Sequence, residues 1–251
     1  MVTLFEAIDG NVRQGTAALI QTLRQGKLQV AQNRPDEVAV TERVAALLLA
    51  AQYESRLHWL INHPNSRLAS SDIDYVKKSG GTAKKWNALL RASLALRKSA
   101  REGTPCNPGQ VPAVLGSSER QRYWRMHDIT RDHLNALIDI RNSLAHGEWS
   151  IALTAKADGI NFVRTSAFGS ISLYRVVIMT NLLEHLWRAH FDAQVTRFAF
   201  ERDFDKHADG MLNAARRLER GDEQRWLATM RDRYKDGRSA REALTLPASI
   251  Q

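Results

Sequence analysis

Apolar residues recur at three- and four-residue spacing along most of this chain, and that period commits it to helices that pack through apolar stripes. Leu4, Ile8, Val12, Leu19 and Leu23 mark a first helix over residues 3–31. Asn33-Arg34-Pro35 breaks it. Val40, Val44, Leu47, Leu48, Leu57 and Leu60 then stripe a second helix from about Asp36 to Asn62, ended by His63-Pro64-Asn65-Ser66. A short helix is expected over Asp72–Lys78. Gly80-Gly81 breaks the chain, and Thr82 is placed to cap a helix to about Ala100. Residues 102–118 hold Gly103, Pro105, Pro108, Gly109, Pro112 and Gly116 and read as the clearest loop. Behind Ser117-Ser118, one long helix is expected over Glu119–Ala145.

After Gly147 the period changes. Trp149–Thr154 and Ile160–Val163 flank Asp158-Gly159, the pattern of a small β-hairpin over about 148–165. Helices are expected again over Ser170–Phe204, Ala208–Arg220 and Glu223–Tyr234, with a polar, frayed tail from Asp236. The expected fold is mainly α, with a helical domain over 1–206 and a C-terminal helical extension and tail over 207–251.

Composition narrows the function classes. The chain of 251 residues is 43% apolar, enough to bury a sizeable core. Cys106 is the only cysteine, which excludes an intramolecular disulfide and a Cys-rich zinc site. The first residues carry no basic and apolar leader pattern, so no secretory signal is expected. The most apolar stretch, Ile171–Trp187, contains Arg175 and Glu184 and reads as a core helix, not a membrane span. A soluble, cytoplasmic protein is the expectation. The formal net charge of +9, carried mostly by arginine, favours encounter with polyanions.

One helix end carries a conflict between pattern and chemistry. At about 100° per residue, Leu134, Leu137, Ile138, Arg141, Leu144 and Ala145 share one face. Arg141 therefore sits within an apolar stripe, and a buried guanidinium needs a carboxylate or a bound anion. Glu54 is a candidate carboxylate. His146 and Gly147 follow; a basic residue and a glycine also suit an ordinary helix C-terminus. An ideal helix sets Arg141 and His146 roughly 140° apart. A left-handed Gly147 is expected to let the imidazole swing back.

Arg141-Asn142-Ser143-Leu144-Ala145-His146-Gly147 resembles the R-x4–6-H signature of the HEPN superfamily in its R-N-x-x-A-H-G form. The bare spacing also occurs at Arg56/His63, Arg120/His127, Arg122/His127 and Arg202/His207. The asparagine, the Ala-His-Gly ending and the place at the end of a long helix distinguish Arg141/His146.

The resemblance implies a HEPN-like helical bundle and a metal-independent endoribonuclease that needs no cofactor. Its site would form between two protomers of a homodimer. It would be a toxin or effector of bacterial defence, with an antitoxin or regulatory protein as a further partner. Carried over, Arg141 binds the scissile phosphate, His146 acts as general acid or base, and Asn142 positions one or the other. Attack by the 2′-hydroxyl would leave a 2′,3′-cyclic phosphate and a 5′-hydroxyl. Where some HEPN toxins carry a modifiable tyrosine two residues after the histidine, this chain has Glu148. The alternatives are a non-catalytic helical adaptor for RNA or protein, and a substrate-binding subunit associated with a nucleotidyltransferase.

Other basic groups are candidates for RNA contact. Lys77, Lys78, Lys84 and Lys85 flank Gly80-Gly81 beside Trp86, a possible stacking platform. Arg120, Arg122 and Arg125 interleave with Tyr123 and Trp124. Arg216, Arg217, Arg220, Arg225, Arg231 and Arg233 make the C-terminal helices basic. His185 and His190, with Glu184 and Asp192, lack the i, i+4 spacing of a helical metal motif, so no metal is expected there.

Overall fold

A computed structural model describes residues 2–153, 159–195 and 197–233. They form helices α1 (Leu4–Ala31), α2 (Pro35–Asn62), α3 (Ser70–Lys77), α4 (Thr82–Glu102), α5 (Val111–Val114), α6 (Ser117–Ile129), α7 (Asn135–Ala145), α8 (Phe162–Gly169), α9 (Leu173–Val195), α10 (Arg197–Arg220) and α11 (Glu223–Arg233). The chain is mainly helical.

Local chemistry sets several ends. Thr3 and Glu6 form a reciprocal capping box at the start of α1, and Pro35 opens α2 where its missing N–H costs nothing. Glu42 accepts the N–H of Leu173 at 2.8 Å and so satisfies the start of α9 from a different helix.

Two antiparallel pairs make the frame. In the first, Trp59 of α2 donates to Asp9 of α1, and Thr41 of α2 donates to Gln29 of α1. In the second, Tyr174 of α9 donates to the carbonyl of Arg217, while His207 of α10 meets Asp192. Helix α2 packs on α9 and α7, α4 packs on α9, and α11 folds back onto α1. Tyr53, Leu57, Leu60, Trp86, Leu89, Leu94, Met126, Leu182, Leu186 and Phe204 lie in one shared core. Helix α10 runs through residues 206 and 207 without a break, and its Met211, Ala214 and Leu218 belong to that core.

The long helix before Gly147 is not uniform. Thr130–Leu134 is a π-helical turn, in which the N–H of Asn135 reaches the carbonyl of Thr130. Such a turn inserts one residue and resets the helical phase. Helix α7 therefore faces α2 in a register that a regular continuation of α6 does not give.

The region after Gly147 differs from the expected hairpin. A single antiparallel bridge joins Leu153 to Ile160, and no strand forms among the described residues. Phe162 and Val163 instead enter α8. The alternation was too short to hold a ladder, and the bond from the Asn161 N–H to the Ala152 carbonyl belongs to that single bridge. Ala152 and Phe168 pack with Leu144 in a small second apolar cluster, which ties this segment to the end of α7. Residues 154–158, with most of the expected turn, and the tail from Asp236 lie outside the described residues. The break expected near residues 205–207 is also not there: helix α9 ends at Val195, and α10 continues to Arg220.

Candidate functional site

Helix α2 presents Glu54 toward α7, and the two helices pack directly. Arg141 Nη2 donates to Glu54 Oε2 at 2.9 Å. The second carboxylate oxygen, Oε1, accepts from the hydroxyl of Thr82 at 2.9 Å. Arg141 Nη1 donates to Asn142 Oδ1 at 3.0 Å. Glu54 is thus fixed from both sides, and Arg141 is fixed by Glu54 and Asn142. The guanidinium is not fully buried: side-chain exposure is 34% for Arg141 and 37% for Glu54. Leu137 and Leu144, before and after Arg141 on the same stripe, are buried. A planar cation with its stem in an apolar wall and its head open to solvent is suited to grip a phosphate with two hydrogen bonds.

His146 is the C-cap of α7 and is exposed. Gly147 has φ +83, the N–H of Gly147 bonds to the carbonyl of Leu144, and that of Glu148 bonds to the carbonyl of Ser143. These are the two bonds of a Schellman ending. No hydrogen bond joins the imidazole to Arg141 among the described residues. A positive φ at Gly147 redirects only the chain that follows, whereas His146 itself keeps φ −87 and ψ 7. Arg141, Asn142 and Glu54 are brought together; the imidazole of His146 makes no hydrogen bond or ion pair among the described residues.

The lysine-flanked break lies close in structure. Thr82, the first residue of α4, touches Glu54, and Lys84 and Lys85 follow in the same turn. Lys77 and Lys78, at the end of α3, are exposed. Trp86 is no stacking platform. It is fully buried against Tyr53 and His190, because it faces the α4–α9 core. Thr82 is not the N-cap either; Gly81 is, which frees the hydroxyl for Glu54.

The arginines of α6 divide. Arg120 donates to the carbonyls of Ala113 and Leu115. Arg122 lies over the rings of Phe200 and Phe204 and pairs with Asp205. Both hold the structure together. Arg125 makes no hydrogen bond or ion pair among the described residues, next to the partly exposed Trp124. The other matches to the bare spacing are also spoken for: Arg56 pairs with Glu184 beneath Trp187, and Arg202 pairs with Asp203. The six C-terminal arginines are all exposed.

Two features were not read from the sequence. His185 and His207 meet Nδ1 to Nδ1 at 3.3 Å, and His207 Nε2 lies 3.2 Å from Asp192. The pairing depends on how α10 lies across α9, which spacing does not reveal. The second is an exposed apolar run just after His146: Trp149, Ile151, Leu153, Ile160, Phe162 (76% exposed) and Val163 (83% exposed). The alternating pattern that pointed to a hairpin was its only signal.

Comparison with known proteins finds no matching family model, no similar curated protein and no similar solved structure.

Proposed function

We propose that this chain is a HEPN-like helical bundle acting as a metal-independent endoribonuclease, the toxin or effector of a bacterial defence system. The observation that carries this reading is Arg141: a guanidinium anchored by Glu54 and Asn142, yet open to solvent, one turn before a histidine-capped helix end. In the proposed reaction Arg141 grips the scissile phosphate. The 2′-hydroxyl attacks phosphorus, His146 of one copy takes its proton, and a second acid protonates the departing 5′-oxygen. Arg141 stabilises the charge on the phosphorane. Lys84 and Lys85, on the turn that touches Glu54, are placed to follow the backbone of the bound strand.

Within one chain Arg141 and His146 make no contact. The reading therefore puts the phosphate between two copies, the arginine of one against the histidine of the other. The exposed apolar run from Trp149 to Val163 supports an interface beside the site, since monomers seldom leave such a run uncovered.

The test is cleavage of structured and unstructured RNA in EDTA. Wild type is expected to cut, leaving cyclic phosphate ends, while Arg141→Ala and His146→Ala lose cleavage and stay folded. A mixture of the two inactive variants should recover about a quarter of the activity, because about half of the dimers are mixed and each of these holds one intact site of two. Wild-type protein that binds RNA without cutting it supports the second reading, a non-catalytic adaptor. The lack of contact between Arg141 and His146 is the observation that favours that alternative.

A further inference from the structure

We infer a second ligand site: a cavity walled by Arg67, Arg97, Arg101 and Gln194 that holds the phosphoryl group of a nucleotide. It has a volume of about 60 Å³ and lies where the C-terminal half of α4 meets the end of α9 and the segment after α2. None of its lining residues is acidic, and none belongs to the Arg141 site.

Gln194 is the most telling wall. It is 2% exposed, and its Oε1 accepts from Ser66 at 3.4 Å. Its Nε2 is buried with no acceptor among the described residues. A buried amide donor left in that state is costly, and native proteins almost always satisfy it. An oxyanion in the cavity supplies the missing acceptor.

Arg97 and Arg101 stand near the end of α4, where cations also complement the helix dipole. That accounts for two arginines. It does not account for Arg67, which arrives from another segment, or for the neutral amide of Gln194. Arg97 is held over Phe200 and beside Glu201, and Arg101 pairs with Glu119 at 2.9 Å and with Glu102. These partners fix two guanidiniums in the wall. Donor-bearing side chains from α4, α9 and the post-α2 segment line the cavity together, which suits a tetrahedral oxyanion, whose acceptors point in several directions. A carboxylate offers its acceptors in one plane.

The cavity is too small for a nucleoside, but it has a neighbour. Leu96 and Ala100, one turn apart on α4, line both this cavity and an open groove of about 820 Å³. Tyr75, Ser99 and Asn107 also line the groove. A phosphate in the cavity leaves the sugar and base to lie across the Leu96–Ala100 ridge, with an aromatic ring and small polar groups beside them.

The test is calorimetric titration of the full chain with inorganic phosphate, AMP, ATP and adenosine, with sulfate as the anion control. AMP and ATP are expected to bind, phosphate more weakly, and adenosine not measurably. Arg67→Ala, at an exposed position, and Gln194→Leu, which fills the same space without the amide, should each weaken AMP by roughly tenfold or more. Arg141→Ala should leave AMP binding unchanged. Thermal melts of each variant show whether it is folded. No binding to wild type overturns the inference, as does AMP binding that neither Arg67→Ala nor Gln194→Leu weakens. Sulfate or phosphate binding as tightly as AMP overturns the nucleotide assignment.

Discussion

Glu54 accepts two bonds from residues far apart in the chain, 28 positions on at Thr82 and 87 positions on at Arg141. The need for a carboxylate or a bound anion was legible in the sequence, because Arg141 falls on an apolar stripe. Glu54 was one candidate, and nothing in its own surroundings in the sequence singled it out. The hydroxyl of Thr82 was not legible: its place behind Gly80-Gly81 reads as a helix cap, and only the approach of α4 to α2 gives it another task. The burial of Trp86 was hidden for a similar reason, since neighbouring lysines say nothing of which way an indole faces. The Arg141–Glu54 pair is about a third exposed, so it contributes no more than about 1 kcal/mol to stability. Glu54→Gln is therefore expected to shift the urea midpoint little. Its effect should fall on RNA cleavage, lowered by up to about tenfold as Arg141 loses its anchor. Thr82→Val should act in the same direction and more weakly. A Glu54→Gln variant that unfolds but cuts normally at low temperature contradicts this division.

At the scale of elements, helix boundaries were read well where glycine and proline punctuate the chain. They were read poorly where a period had to be followed through an irregularity. Helix α7 ends at the Gly147 foreseen, yet no hydrogen bond joins the His146 imidazole to Arg141 among the described residues. No atom lies within 4 Å of a Cβ built on Gly147, so only the backbone conformation opposes a side chain there. Gly147→Ala is expected to cost about 1 kcal/mol, from the left-handed φ alone. Chemical denaturation measures it. The same variant should loosen the Ala152–Phe168 segment, seen as faster amide exchange there. The fracture between α9 and α10 was misplaced by about ten residues. The charged run Glu201–Lys206 resembles a boundary, but it is the outer face of a helix whose Phe200 and Phe204 are buried.

For the molecule as a whole, its histidines set the response to acid. Burial holds the imidazoles of His63, His133, His185, His190 and His207 below their usual range, and pushes His190 down to about 3. In the unfolded chain each titrates near about 6.5. Unfolded protein thus binds more protons once the pH falls below that value. The stability these groups give is fully present above about pH 6.5 and is lost as the pH drops toward the folded values. Asp192 and Glu42 work in the opposite sense, since burial raises their carboxyl pKa. They are two groups against five. The urea midpoint is expected to fall steadily from pH 7 to pH 5. His190→Leu should flatten that fall by about 1.4 kcal/mol per pH unit in the lower part of the range. An unchanged slope in this variant would show that His190 takes up its proton without unfolding.

The π-turn at Thr130–Leu134 has a genetic consequence. Its contribution lies in its length, because it takes up one extra residue and so sets the phase at which α7 meets α2. Most single substitutions across Arg131–His133 should therefore leave the Arg141–Glu54 contact in place. Deleting one residue there restores a regular helix and keeps Arg141 in phase with Glu54, whereas inserting one turns Arg141 by about 100°, away from Glu54. In a mutational scan of this segment read out by RNA cleavage, the expected pattern is tolerance of changed letters and of a single deletion, and intolerance of an insertion.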